Sequence, residues 1–243
     1  MGPRLLLLLL LPALLAPSFA CGNDEGSTIA GGGPVLTEIP WRVPETTKYR
    51  LLEDDEQIGS AELTIESGQG GNDTFGQSFR FPEREITDDV EVSANAGTLA
   101  PTAVTRAVNS QDGERSWDVT YGASTVTVVQ SDEDDERTDT IDVPTTSYDT
   151  WTDLFLWRTI DYEEGYEVKY AAVVTADFAK PEVISIALKV TGLESVTVST
   201  GTFEAWRLEI RSGGRTQKAW IADNGDRTLV RYDNTELIWE LEG

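Results

Sequence analysis

The chain has 243 residues, of which 43 are acidic, 19 basic and none histidine, for a formal net charge of −24. A surface of that sign repels phosphate backbones and anionic headgroups, which excludes nucleic-acid binding and polybasic membrane contacts. Without imidazole, and with a single cysteine, the chain offers a poor ligand set for zinc, haem, copper or iron–sulfur centres and lacks the base of serine- and cysteine-nucleophile systems, so no cofactor is expected.

The first twenty residues carry one charge, Arg4, then the apolar run Leu5 to Leu11 and the small-residue exit Ser18-Phe19-Ala20. This pattern is a secretory signal over 1–20, too short for a spanning helix. It runs into Cys21, the only cysteine. Small residues before a lone cysteine resemble the bacterial lipobox, which implies acylation of Cys21 and anchoring to a membrane through acyl chains. The competing reading is cleavage after Ala20 with a free thiol. On the lipobox reading the protein is exported and lipid-anchored in the cell membrane or outer membrane, its domain facing the periplasm or the exterior.

Residues 21–40, with Gly22-Asn23-Asp24-Glu25-Gly26-Ser27 and then Ala30-Gly31-Gly32-Gly33-Pro34, read as a flexible spacer. Residues 41–243 read as one β-rich domain. From Tyr49 onward the apolar period is two: Ala61, Leu63 and Ile65 alternate with polar residues, as do Trp117, Val119 and Tyr121. The same rhythm returns in Tyr166, Val168 and Tyr170, in Ile184 to Val190, and in Trp206, Leu208 and Ile210. Glu53-Asp54-Asp55-Glu56, Ser212-Gly213-Gly214 and Asp223-Asn224-Gly225-Asp226 supply hairpin turns between them. Ser147–Arg158 breaks the rhythm, with Trp151, Leu154, Phe155 and Arg158 at spacings of three and four after the candidate caps Thr146, Ser147 and Asp149. The fold expected is mainly β: a strongly curved antiparallel sheet, half-barrel or open barrel, with one short helix packed on its concave face.

No catalytic residue emerges. Carboxylate pairs are inevitable among 43 acids, and none is marked as buried, so a carboxylate-based glycan hydrolase is the least favoured reading. Asp132 to Glu136 could gather calcium but lacks the alternating ligands and central glycine of an EF-hand loop. The aromatic residues say more. Trp151, Phe155, Trp157, Trp206 and Trp220 are the candidates to line an apolar pocket, with plain core packing as the competing reading.

Leu154-Phe155-Leu156-Trp157-Arg158, Glu163-Glu164-Gly165-Tyr166, Val190 to Val198, Gly201 to Leu208 and Lys218-Ala219-Trp220-Ile221-Ala222 follow one another in an order and spacing that resembles domain-of-unknown-function family 3108, a group of uncharacterised bacterial envelope proteins. Tyr49-Arg50-Leu51-Leu52 and Gln57 to Ala61 resemble that family's first hairpin. The resemblance implies a fold and a compartment, with no catalytic residues to carry over. A fold-level likeness to lipoprotein-carrier half-barrels is weaker. Together these readings lead to an envelope lipoprotein that binds an apolar ligand or lipid-modified molecule in a concave aromatic-lined pocket; the alternative is an assembly lipoprotein that binds another envelope protein.

Overall fold

The computed structural model describes residues 36–133 and 135–243. The expected signal, Cys21 and the expected spacer up to residue 35 lie outside the described residues. The period-two segments form strands whose buried phase is the apolar one: in β2 (Glu56–Ser67) Ala61, Leu63 and Ile65 are buried while Ser60, Glu62 and Thr64 are half-buried. Preceded by β1 (Glu45–Glu53), this strand begins an antiparallel meander through β3 (Asn72–Phe81), β4 (Ile86–Asn95), β5 (Pro101–Ser110), β6 (Gly113–Tyr121), β7 (Thr125–Asp132) and β8 (Glu136–Asp142). Between β1 and β2, Asp54 and Asp55 take φ of 50° and 67°, the left-handed conformation that Asp tolerates and a tight hairpin requires.

After β8 the chain crosses to the other edge of the sheet. The two-residue β9 (Tyr148–Asp149) pairs in parallel with β10 (Glu167–Val174), and a second antiparallel meander follows through β11 (Glu182–Val198), β12 (Gly201–Ser212), β13 (Arg215–Ala222), β14 (Leu229–Asp233) and β15 (Ile238–Glu242). β15 pairs with β1, which joins the two meanders into one sheet of 15 strands. Its edges, β8 and β9, share no ladder. Only residues 143–147 separate them, at most roughly 20 Å of extended chain, so the sheet must curl until its edges nearly meet.

Side chains close this seam where backbone pairing does not. Tyr121 of β6 donates to Asp149 of β9 at 2.6 Å, Arg106 of β5 donates to the Ala176 carbonyl at 2.7 Å, and Trp117 donates to the Asp177 carbonyl at 3.0 Å. Residues 175–178, which follow β10, thereby lean across onto β5 and β6.

The expected helix forms as the 3₁₀ turn Thr150–Thr152, helix α1 (Asp153–Leu156) and the 3₁₀ turn Trp157–Thr159, capped by the Asp149 carboxylate on the Trp151 amide. It lies on the concave side of the sheet, but with no wet face: Thr152 to Thr159 are all buried. Phe155 meets Phe75 of β3, Arg158 pairs with Glu45 of β1, and Trp157 meets Tyr170 of β10 and Tyr232 of β14. Walls from both meanders therefore surround it. At its far end the amides of Thr37 and Glu38, which composition places in the spacer, donate to the Thr159 carbonyl at 2.9 and 3.2 Å, and Arg227 donates to the Ile160 carbonyl. That end of the barrel is shut.

One hairpin overshoots the barrel. β11 is 17 residues long and shifts register between Val190 and Gly192, where Gly192 adopts φ 147°. Beyond the bulge, Val196, Val198 and Ala205 pack with Ala222 and Val230 in a second, smaller core. Ala219 and Ile221 belong to the main core, so this cluster covers the opposite, outer face of β13.

Candidate functional site

Between the first turns of the helical segment and the end of the barrel near the β12–β13 hairpin lies a cavity of about 110 Å³. Phe79, Trp151, Trp157, Tyr232 and Trp239 supply its aromatic wall, and Leu154, Val174, Ile184, Ile186 and Ile210 its aliphatic wall. The rings touch in sequence around it. Trp151 lies 6.5 Å from Phe79, Phe79 5.3 Å from Trp239, Trp239 5.7 Å from Tyr232 and Tyr232 5.5 Å from Trp157, centroid to centroid. Both ends of this chain of rings sit on the helical segment, which closes it into a collar, and Asp153 lies between them in the sequence.

Asp153 also lines the cavity and is 7% exposed. Its Oδ1 accepts from the Tyr170 hydroxyl at 2.9 Å, and that hydroxyl accepts from Trp157 Nε1 at 2.9 Å. No cation pairs with it among the described residues. Burial holds its carboxyl well above the usual carboxylate range; the Tyr170 hydrogen bond opposes the shift and the nearby Asp149 charge adds to it. Asp149, one helical turn earlier, accepts from the Trp151 amide at 2.9 Å, Tyr121 at 2.6 Å and Thr175 at 2.7 Å. Burial raises it to about 6 against those three hydrogen bonds.

Arg106 stands in the same wall, yet its charge is already matched. Its Nε and Nη2 donate to Asp88 at 2.9 and 2.7 Å, both side chains being almost wholly buried. The guanidinium lies 4.9 Å from the Trp117 and Trp151 rings and 5.4 Å from Phe178. Desolvating both ions is tolerable because three of the five N–H groups meet acceptors and the guanidinium lies against three rings. Gln77 donates to the Trp151 carbonyl and so ties β3 to the start of the helix. Asp177, at the cavity's edge, is raised by burial, an effect opposed by the Phe178 amide and by Arg106.

Of the five expected pocket residues, the structure brings Trp151 and Trp157 to the cavity. Phe155 is fully buried on the other side of the helix, 5.0 Å from Phe75. Trp206 is on the inner phase of β12 but nearer the shut end, stacked 6.0 Å from Tyr162 and donating to Asp223 at 3.0 Å. Trp220 packs against the outer core, donates to Glu194 at 2.6 Å and lies under Arg231. Alternation could not place Trp220, because Ala219 and Ile221 in one phase compete with Trp220 and Ala222 in the other. The collar members that sequence reading missed, Phe79, Tyr232 and Trp239, sit in strands whose proximity depends on the β1–β15 pairing. Asp88 and Arg106 did carry a signal: each occupies the apolar phase of its strand, Asp88 between Ile86 and Val90, Arg106 between Val104 and Val108. The acidic run Asp132 to Glu136 spans the β7–β8 turn, and among the described residues no group of three or more acidic or cysteine side chains is placed to hold a metal.

An incompletely closed antiparallel barrel, filled by its own helix and retaining an aromatic cavity, defines the class: a barrel-like β domain. Within that class the chain belongs to the family described as protein of unknown function (DUF3108), whose model matches residues 48–238. In fold it is similar to the crystal structure of a β-barrel-like protein of domain of unknown function DUF1849 from Brucella abortus, with a TM-score of 0.54 at 10% identity over 82% of this chain and 95% of the other. A search of the curated proteins finds no match.

Proposed function

We propose that this protein is an exported lipoprotein, acylated at Cys21 and held at a membrane of the bacterial envelope, whose barrel binds one end of a small ligand in the collar of Trp151, Phe79, Trp239, Tyr232 and Trp157. The observation that carries the reading is the cavity itself: apolar and aromatic walls with one buried acid among them, in a core otherwise packed by its own helix. At about 110 Å³ it is smaller than the roughly 300–1,000 Å³ of pockets that engulf a whole drug-sized ligand. It therefore takes a terminal group and leaves the rest of the molecule outside, where an acyl carrier would need far more room. Binding is favoured over catalysis because the acids do not converge on the cavity: Asp149 is not in its wall, and Asp153 and Asp177 are not among the charges that act on each other. Asp149 is turned to Tyr121 and Thr175, and the charges acting on Asp177 are Arg106 and Asp88.

Acyl chains remain the proposed anchor; among the described residues no helix is long and apolar enough to cross a membrane. A second reading, an assembly lipoprotein that docks another envelope protein, draws on the unpaired edge of β8. That edge carries Glu136, Arg137, Asp139 and Asp142, the kind of charge that discourages strand addition, so it ranks lower. Native mass spectrometry of the full chain extracted in dodecyl maltoside should reveal a co-purifying adduct that Ile186→Trp, which fills the cavity, displaces. An adduct-free spectrum from both proteins would sink the ligand reading. In the same preparation Cys21→Ser should leave the membrane fraction, and retention there with an unmodified N-terminus would remove the anchor.

A further inference from the structure

Resting on the reading of the cavity as a ligand site, we infer that the group it takes is an organic cation, a methylated or alkyl ammonium no larger than trimethylammonium. Size sets the upper limit: about 110 Å³ is less than the ~150 Å³ cavity that accommodates benzene. Charge sets the sign. Three charged side chains line this cavity, Arg106, Asp153 and Asp177; Asp177, at the edge, is acted on by Arg106, and Asp153 has no cation beside it among the described residues. Arg106 is neutralised by Asp88 and turns a third N–H, of its five, to the Ala176 carbonyl, so its charge is already met without an anion. Asp153 is 7% exposed, forms no ion pair, and accepts a hydrogen bond only through Oδ1, from a neutral tyrosine.

The walls are those that suit a cation. Five rings in tilted and edge-to-face contact surround the space in which Asp153 lies, and a quaternary ammonium is attracted to aromatic faces while demanding no hydrogen bond from them. An unpaired carboxylate inside a collar of that kind supplies the counter-charge. Trp239, 5% exposed in the same wall, has an Nε1 with no hydrogen-bond partner among the described residues. An oxygen carried a few bonds from the ammonium is the acceptor this donor lacks.

The acid is buried without a cation, so the empty site favours its protonated form, and a bound ammonium displaces that proton. The groups that face Asp153 are Tyr170 from β10, Tyr232 from β14 and Asp149 from β9; the tyrosines are held neutral by burial, and Asp149 opposes a second negative charge. Affinity for the cation therefore rises with pH, and no group in the wall reverses that direction.

Choline chloride and 3,3-dimethylbutan-1-ol test the inference by calorimetric titration of the full chain in dodecyl maltoside, since the two have the same shape and differ in charge. The cation should bind at least tenfold tighter at pH 8 and lose affinity toward pH 6. Asp153→Asn should cost choline tenfold or more and leave the alcohol within twofold. Equal binding of the two, or choline binding unmoved by Asp153→Asn, overturns the cation while leaving an apolar ligand site in place. If neither ligand binds the parent protein the cation inference fails, and whether the ligand reading fails with it is decided by the adduct measured in native spectra.

Discussion

The two ends of the buried helical segment meet their charges in opposite ways. At the shut end Arg158, 3% exposed, donates to both oxygens of Glu45 at 2.6 and 3.0 Å and to the Arg227 and Asp226 carbonyls at 2.9 and 2.8 Å, under the Trp41 ring. At the other end Asp149 and Asp153 are as deeply buried and have only neutral partners. A charge matched in place is part of the scaffold. A charge left unmatched beside a cavity costs stability in the empty protein, and that cost is recoverable only by a ligand or a proton.

The largest effects are expected where matching is complete. Arg106→Ala leaves Asp88, 0% exposed, without its counter-ion and should cost about 3–5 kcal/mol in urea denaturation. Arg158→Ala should cost about 3 kcal/mol, the lower end, because the Glu45 side chain is 20% exposed and water can reach it. If Arg158→Ala proved the more damaging, the seam closed by Arg106 would be a lesser support than the shut end of the barrel.

Asp149 gives the next effect, and its sign is opposite to that of a salt-bridged acid. Its folded pKa of about 6 lies above the ordinary 3.8, so the native state holds a proton that the unfolded chain has released. The associated stability is fully present below pH 4 and is lost as pH rises through about 6, at roughly 1.4 kcal/mol per pH unit in between. Asp153 acts in the same direction. Asp149→Asn mimics the protonated form: its amide nitrogen can donate to Tyr121 and Thr175, and its carbonyl still accepts from the Trp151 amide. The variant should match the parent at pH 4 and exceed it by roughly 2 kcal/mol at pH 7. A difference that is flat across that range would mean the Asp149 site is open to water.

Local chemistry made much of this fold legible. Alternation marks the strands, spacings of three and four mark the helix around Leu154 and Phe155, and Asp149, one of its candidate caps, does cap it. What sequence could not supply was long-range closure. Arg50 meets Glu240 across the β1–β15 ladder, and nothing in either segment names the other. That single pairing sets which strands face each other, and so decides that Phe79, Tyr232 and Trp239 share a collar. Height along the barrel is equally hidden: Trp206 has the right phase and the wrong level. The buried Asp153 was hidden for a different reason, since a polar residue in a short amphipathic helix reads as its wet side until the opposite wall is known.

The smallest expected effect separates the inner face from the outer. Trp220 packs in the outer cluster with Val196, Val198 and Val230, and its indole keeps a hydrogen bond to Glu194 and a contact with Arg231 that remain partly exposed to water. Trp220→Leu keeps most of the apolar contact and loses the polar tip, so it should cost about 1 kcal/mol. Between it and the cavity stands the sheet itself, with Ala219 and Ile221 filling the inner phase. Ligand affinity should therefore stay within twofold of the parent, whereas Trp157→Leu, which opens the collar, should weaken it strongly. A matching loss of affinity in Trp220→Leu would mean that the outer hairpin transmits to the cavity, and that the two faces of β13 do not act independently.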